Sequence, residues 1–179
     1  MIIKILSYSY IYSIRLLQSL LFQGFYWLRY KLSKNKEKID NEIKRLKNTC
    51  NNKLKIDKEL RSFKWVSDPI EGLIDWTPSI YSFLLNEKKD DCDGAGFYTK
   101  WLFKNCSKEG KVKVISLISK NPLISASHVI AILKYQDKFY LYSNGFSLPK
   151  NFDSEKEAIN YYRKKVGIKY FKDYAKICY

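Results

Sequence analysis

Ser127-His128-Val129-Ile130-Ala131-Ile132-Leu133-Lys134, followed after a short break by Phe139-Tyr140-Leu141-Tyr142-Ser143-Asn144-Gly145, is the stretch that decides the fold. Both runs are rich in β-branched and aromatic residues, so they read as neighbouring strands of a hairpin. A turn over three residues, Tyr135-Gln136-Asp137, pairs Lys134 with Lys138 and sets His128 directly opposite Asn144 on the same face. A two-residue turn would shift the register and send Asn144 to the other face.

Working outward, Val112 to Ile118 reads as a third strand, and residues 79–86 as a short helix. Asp93-Gly94-Ala95 opens a helix whose apolar positions Ala95, Tyr98 and Leu102 follow helical spacing, and Asn105 through Gly110 ends it. Residues 154–165 form an amphipathic helix in which Ser154 and Glu157 make a capping box. Strands grouped together with helices on either side give an α+β domain from residue 63 to 179.

The first 62 residues differ in character. Residues 1–32 are rich in Ile, Leu and Tyr, but their uncharged runs, 5–14 and 16–28, are shorter than the roughly 20 residues of a membrane span. On a helix, Lys4, Arg15 and Arg29 share one side, while Leu6, Leu17, Leu20 and Trp27 share the other. Such a helix lies on a membrane surface or packs on a partner protein or on the chain's own core. Residues 33–61 are mostly Lys, Asn, Glu and Asp, with Ile39, Ile43, Leu46, Leu54 and Leu60 at helical intervals; they read as a solvated helix or linker, with Ser33 as an N-cap. Residues 1–62 thus form an N-terminal helical extension.

The formal net charge is +15, and residues 1–62 carry +9 of it. Such an excess fits nucleic acid, an anionic membrane or an acidic wall polymer as partner; since 28 of the 33 basic residues are Lys, alongside many Ile, Asn and Tyr, an AT-rich coding sequence produces it equally well. No basic stretch is interleaved with aromatics as a single-strand binding groove requires, so nucleic acid is not expected as a partner. The four cysteines, Cys50, Cys92, Cys106 and Cys178, form no C-x-x-C pair, and His128 is the only histidine. That leaves too few ligands for a zinc site, and no metal or other cofactor is expected. Reduced thiols in a reducing compartment are expected, with Cys50, Cys106 and Cys178 as packing residues.

Cys92 is different because it stands just ahead of a helix, in Asp90-Asp91-Cys92-Asp93-Gly94. The positive end of the helix dipole and unpaired N–H groups favour a thiolate there, and the N–H groups can also hold an oxyanion. The surrounding Asp residues oppose thiolate formation, so a base is needed. His128 is the natural one, and Asn144 across the hairpin would orient its ring.

Trp65-Val66-Ser67-Asp68, Asp75-Trp76-Thr77-Pro78, Asp91-Cys92-Asp93, Ser127-His128-Val129 and the strand ending at Asn144 together resemble the transglutaminase-like cysteine proteinases of bacteria and phages. The resemblance spans roughly residues 63–146. It implies a papain-like core, with the nucleophile on a helix packed against an antiparallel sheet. It assigns Cys92 as nucleophile, His128 as base and Asn144 where many members carry Asp. Gly94 and Ala95 depart from the pattern, standing where the family often has an acidic residue. Trp76, just before the nucleophile segment, would shield the site or line the substrate pocket. The expected activity is cleavage of an amide or isopeptide bond through a thioester, on a protein or a cell-wall peptide. Amine transfer uses the same residues, and a catalytically silent binding module of the same fold is the rival reading.

Overall fold

The computed structural model describes residues 28–66, 79–107, 109–117 and 128–166. Residues 1–27 of the stretch 1–32, expected as a helix lying on a membrane or docked on protein, lie outside them, as do Trp76 and Cys178. Among the described residues, no helix is long and apolar enough to cross a membrane.

The architecture is α+β. Four strands, β3 (Lys111–Leu117), β4 (His128–Tyr135), β5 (Lys138–Ser143) and β6 (Phe146–Phe152), form an antiparallel sheet in sequential order. Helices α1 (Lys36–Thr49), α2 (Lys53–Leu60), α3 (Ile80–Leu85) and α4 (Cys92–Leu102) gather on one face, and α5 (Glu155–Val166) covers the other. A short parallel pair, β1 (Lys64–Trp65) with β2 (Lys89–Asp90), leads into α4.

Alternation along β4 sorts the core. Val129, Ala131 and Leu133 pack with Tyr98 and Leu102 of α4, whereas Ile130 and Ile132 pack with Ala158, Ile159 and Tyr162 of α5. Both faces are therefore apolar, which is why this strand reads as an almost unbroken hydrophobic run.

The hairpin register differs from the expected one. Tyr135 pairs with Lys138 across a two-residue turn, Gln136-Asp137, with φ of 48° and 58°. Two residues with positive φ match the twist of the flanking strands, and this advantage outweighs the lack of an Asn-Gly or Asp-Gly sequence. Ile130 consequently faces Ser143. The next turn is Asn144-Gly145, with φ of 49° and 78°, and it joins Ser143 to Phe146. Asn144 thus serves the turn that introduces β6, a strand not anticipated from the sequence because Pro149 argues against a ladder. Pro149 is tolerated because β6 is an edge strand.

The stretch expected as solvated extension or linker is instead a wall of the core. Ile39, Leu46, Cys50, Ile56 and Leu60 are buried, and all but Ile39 pack with Tyr98, Leu102 and Tyr142. Few apolar residues suffice because nearly all of them point inward; Leu54, 80% exposed, is the exception. Ser33 is not the N-cap expected: α1 begins after Asn35, and the Ser33 hydroxyl accepts from the Asn35 N–H. At α5 the capping box forms almost as read, with Glu157 N–H donating to Ser154 Oγ and the Glu157 carboxylate accepting from Asp153 N–H.

A polar knot holds α1 and α2 to α4. Glu59 Oε1 accepts from Lys88 Nζ at 2.6 Å and from the Tyr98 hydroxyl at 3.0 Å, and Arg45 reaches its other oxygen at 2.9 Å. Lys88 also reaches Glu42 at 3.0 Å. Burial would raise the Glu59 pKa, but Lys88 and Arg45 together hold it below the ordinary carboxylate value. Lys88 sits at φ 60°, a conformation most residues avoid, and its ion pairs help keep it there. Removing Lys88 leaves two carboxylates short of a cation. Lys88→Met should cost about 3 kcal/mol in urea denaturation, and adding Glu59→Gln should restore part of it. An unchanged midpoint in Lys88→Met would show the knot to be dispensable.

Candidate functional site

Cys92 is the first residue of α4. Asp91 is its N-cap, with the carboxylate accepting from Asp93 N–H at 2.9 Å. Asp93 accepts from Gly94 N–H at 2.7 Å, and Asp90 from Asp91 N–H at 2.9 Å. The three carboxylates lie within 4.8 Å of one another and so stitch the helix start together. These bonds occupy the N–H groups of Asp93 and Gly94, and Ala95 N–H bonds to Asp91 O at 3.1 Å. None of the three is thereby left for an oxyanion.

Two glycines of this helix stand where a side chain would meet close neighbours. A Cβ at Gly94 would lie 2.3 Å from Asp90 Cγ, so the Asp90 side chain occupies the place of a side chain at 94. A Cβ at Gly96 would meet Val129 and Val114 at 3.0 and 3.1 Å, which shows how closely α4 lies on β3 and β4. A bare patch of helix set against two valine side chains brings the thiol to the sheet. Val129 N–H donates to Cys92 Sγ at 3.4 Å, a contact that favours the thiolate. Because Val129 follows His128, Sγ stands within about 6 Å of the His128 Cα.

The His128 ring turns toward α5. Its Nε2 lies 3.0 Å from Ser143 Oγ, and the ring stacks on Tyr162 at 5.5 Å between centroids and 9° between planes. Ser143 Oγ in turn lies 3.0 Å from the Tyr162 hydroxyl. Burial pulls the His128 pKa down to about 4 against the opposing pull of the Asp91 carboxylate, so the imidazole is neutral at pH 7. Burial raises the Tyr162 pKa, the hydrogen bond with Ser143 pulls it down, and the Cys92 charge adds a smaller upward pull.

Asn144 does not meet His128. Its Oδ1 is buried and accepts no hydrogen bond among the described residues. The cause is the two-residue hairpin turn, which gives the face of His128 to Ser143 instead. Ser143 and Tyr162 went unread in the sequence. Ser143 could have been found by setting the alternative register beside the first, whereas nothing local to Tyr162 connects it with His128. Of the other described thiols, Cys50 is buried with its pKa raised by burial, and burial pushes Cys106 up to about 12.

A neutral buried histidine makes stability depend on pH. The unfolded chain takes up this proton near pH 6.5 and the folded chain only near 4, so between these values the unfolded state binds more protons. The stabilising effect is intact above pH 6.5 and is lost as pH falls toward 4, by on the order of 2–3 kcal/mol. Thermal melts of wild type and His128→Gln should therefore converge or cross as pH is lowered through this window. A pH-independent gap between them would contradict a neutral buried ring.

No protein-family model matches the chain, and no curated protein matches it in sequence.

Proposed function

We propose that the protein is a cysteine-dependent acyl-transfer enzyme, with Cys92 as nucleophile and His128 as base, on a papain-like arrangement of helix and antiparallel sheet. The observation that carries this reading is the Cys92 thiol at the start of α4, bonded to the amide that follows the histidine. The His128 ring uses Nε2 toward Ser143, so Nδ1 is the nitrogen available to take the thiol proton. Cys92 Sγ attacks an amide or isopeptide carbonyl as its proton passes to His128. The tetrahedral intermediate collapses as His128 returns that proton to the leaving amine, which yields a thioester. Water resolves the thioester in hydrolysis, and a second amine resolves it in transfer. A protein or the peptide stem of a cell-wall polymer is the proposed substrate class.

One observation favours a second reading. The imidazole is already bonded to Ser143 and stacked on Tyr162 on the α5 side of the sheet, as in a histidine that serves packing alone. A catalytically silent binding module would look the same there.

Digestion of a denatured-protein peptide mixture, read by mass spectrometry, separates the two. The full chain should release new termini, Cys92→Ala should release none, and His128→Gln should be slower by about 100-fold or more. Adding a primary amine should divert part of the product to the amide if transfer competes with hydrolysis. Equal product from wild type and Cys92→Ala would sink the enzyme reading.

A further inference from the structure

The place expected for Asn144 is filled by two other side chains. Ser143 Oγ bridges His128 Nε2 and the Tyr162 hydroxyl, at 3.0 Å to each. Tyr162 also lies parallel to the imidazole at 5.5 Å, fixing the ring plane from the side. Ser143 is the last residue of β5 and shares the α5-facing side with Ile130, its cross-strand partner and the second residue after His128. We propose that Ser143 and Tyr162 are the positioning residues of the Cys92–His128 pair, acting as a hydroxyl relay in the role the triad assigns to an amide or carboxylate. The inference rests on the reading of His128 as base.

Proton inventory gives the relay a direction. Were Tyr162 to donate to Ser143 and Ser143 to Nε2, the ring proton would sit on Nδ1, and the ring could not accept from sulfur there. In the opposite order, Nε2–H donates to Ser143 Oγ and the Ser143 hydroxyl donates to the Tyr162 oxygen. Nδ1 then carries the lone pair. When the thiol proton moves to Nδ1, sulfur becomes thiolate and the ring becomes imidazolium. The Nε2–H bond to Ser143 persists unchanged, so nothing else in the relay need rearrange. The Tyr162 π face beside the ring also favours the cation. A hydroxyl holds an imidazolium less firmly than a carboxylate, which suits a proton that must be given up again to a leaving amine.

The test is the rate of Cys92 alkylation by iodoacetamide across pH 4 to 10, followed on the Cys92 peptide by mass spectrometry. It needs no substrate. Wild type should show an inflection from His128 in addition to that of the thiol. Ser143→Ala should react about 10-fold more slowly near pH 7 and lose that inflection, as His128→Gln does. Ser143→Thr, which keeps the hydroxyl on a strand residue, should restore both. Tyr162→Phe keeps the stacked ring but removes the acceptor, and should shift the inflection with a smaller loss of rate. If Ser143→Ala and Tyr162→Phe retain the wild-type rate and profile while His128→Gln is slow, the relay is overturned and the base assignment stands. If His128→Gln also matches wild type, both fall together.

Discussion

The closeness of α4 to the sheet is the constraint on which the site depends. With no side chain at Gly96, the helix backbone settles onto Val114 and Val129, and its first residue arrives at the Val129 amide. A side chain there would press on both valines, and the helix or the valines would have to yield by a few tenths of an ångström. Because Val129 also carries the N–H that meets the thiol, such a shift bears directly on that contact. Gly94, two residues earlier, leaves room for Asp90 to fold over the helix start. Placement of the Cys92 thiol is thus a matter of packing, and the polar contacts follow from it.

The same close approach explains why the N-terminal helices belong to the domain. Tyr98 lies on α4 with its ring in the core and its hydroxyl on Glu59. Tyr142, on β5, makes the equivalent reach to Asp57 at 2.8 Å. Two aromatic residues therefore project through the apolar layer to acidic groups on α2. Each buries a large surface and leaves a satisfied polar tip, as buried tyrosines commonly do. The helix that carries Cys92 is held from both sides, by the sheet below and by α1 and α2 above.

Much of this was legible in the sequence, and what failed did so for identifiable reasons. The three strands around His128, the helix that starts at Cys92, and the Ser154–Glu157 cap were readable because periodicity, turn residues and capping chemistry all pointed the same way. The hairpin register was not, because Gln136-Asp137 is a poor advertisement for a turn with two positive φ angles. One residue of difference moved the face of His128 from Asn144 to Ser143. The α1–α2 segment looked solvated because its apolar residues are sparse, and only tertiary contact shows that almost every one of them is used. The pairing of His128 with Tyr162, separated by the whole of β5 and β6, is of the same kind.

Cys92 as a nucleophile served by His128 is open to test without knowledge of the natural substrate, by intact-mass and peptide-mapping mass spectrometry after brief exposure to p-nitrophenyl acetate. A single acetyl group is expected on Cys92, absent in Cys92→Ala and strongly reduced in His128→Gln. Acetylation spread over Cys92 and Cys106 alike, or undiminished on Cys92 when His128 is replaced, would contradict it.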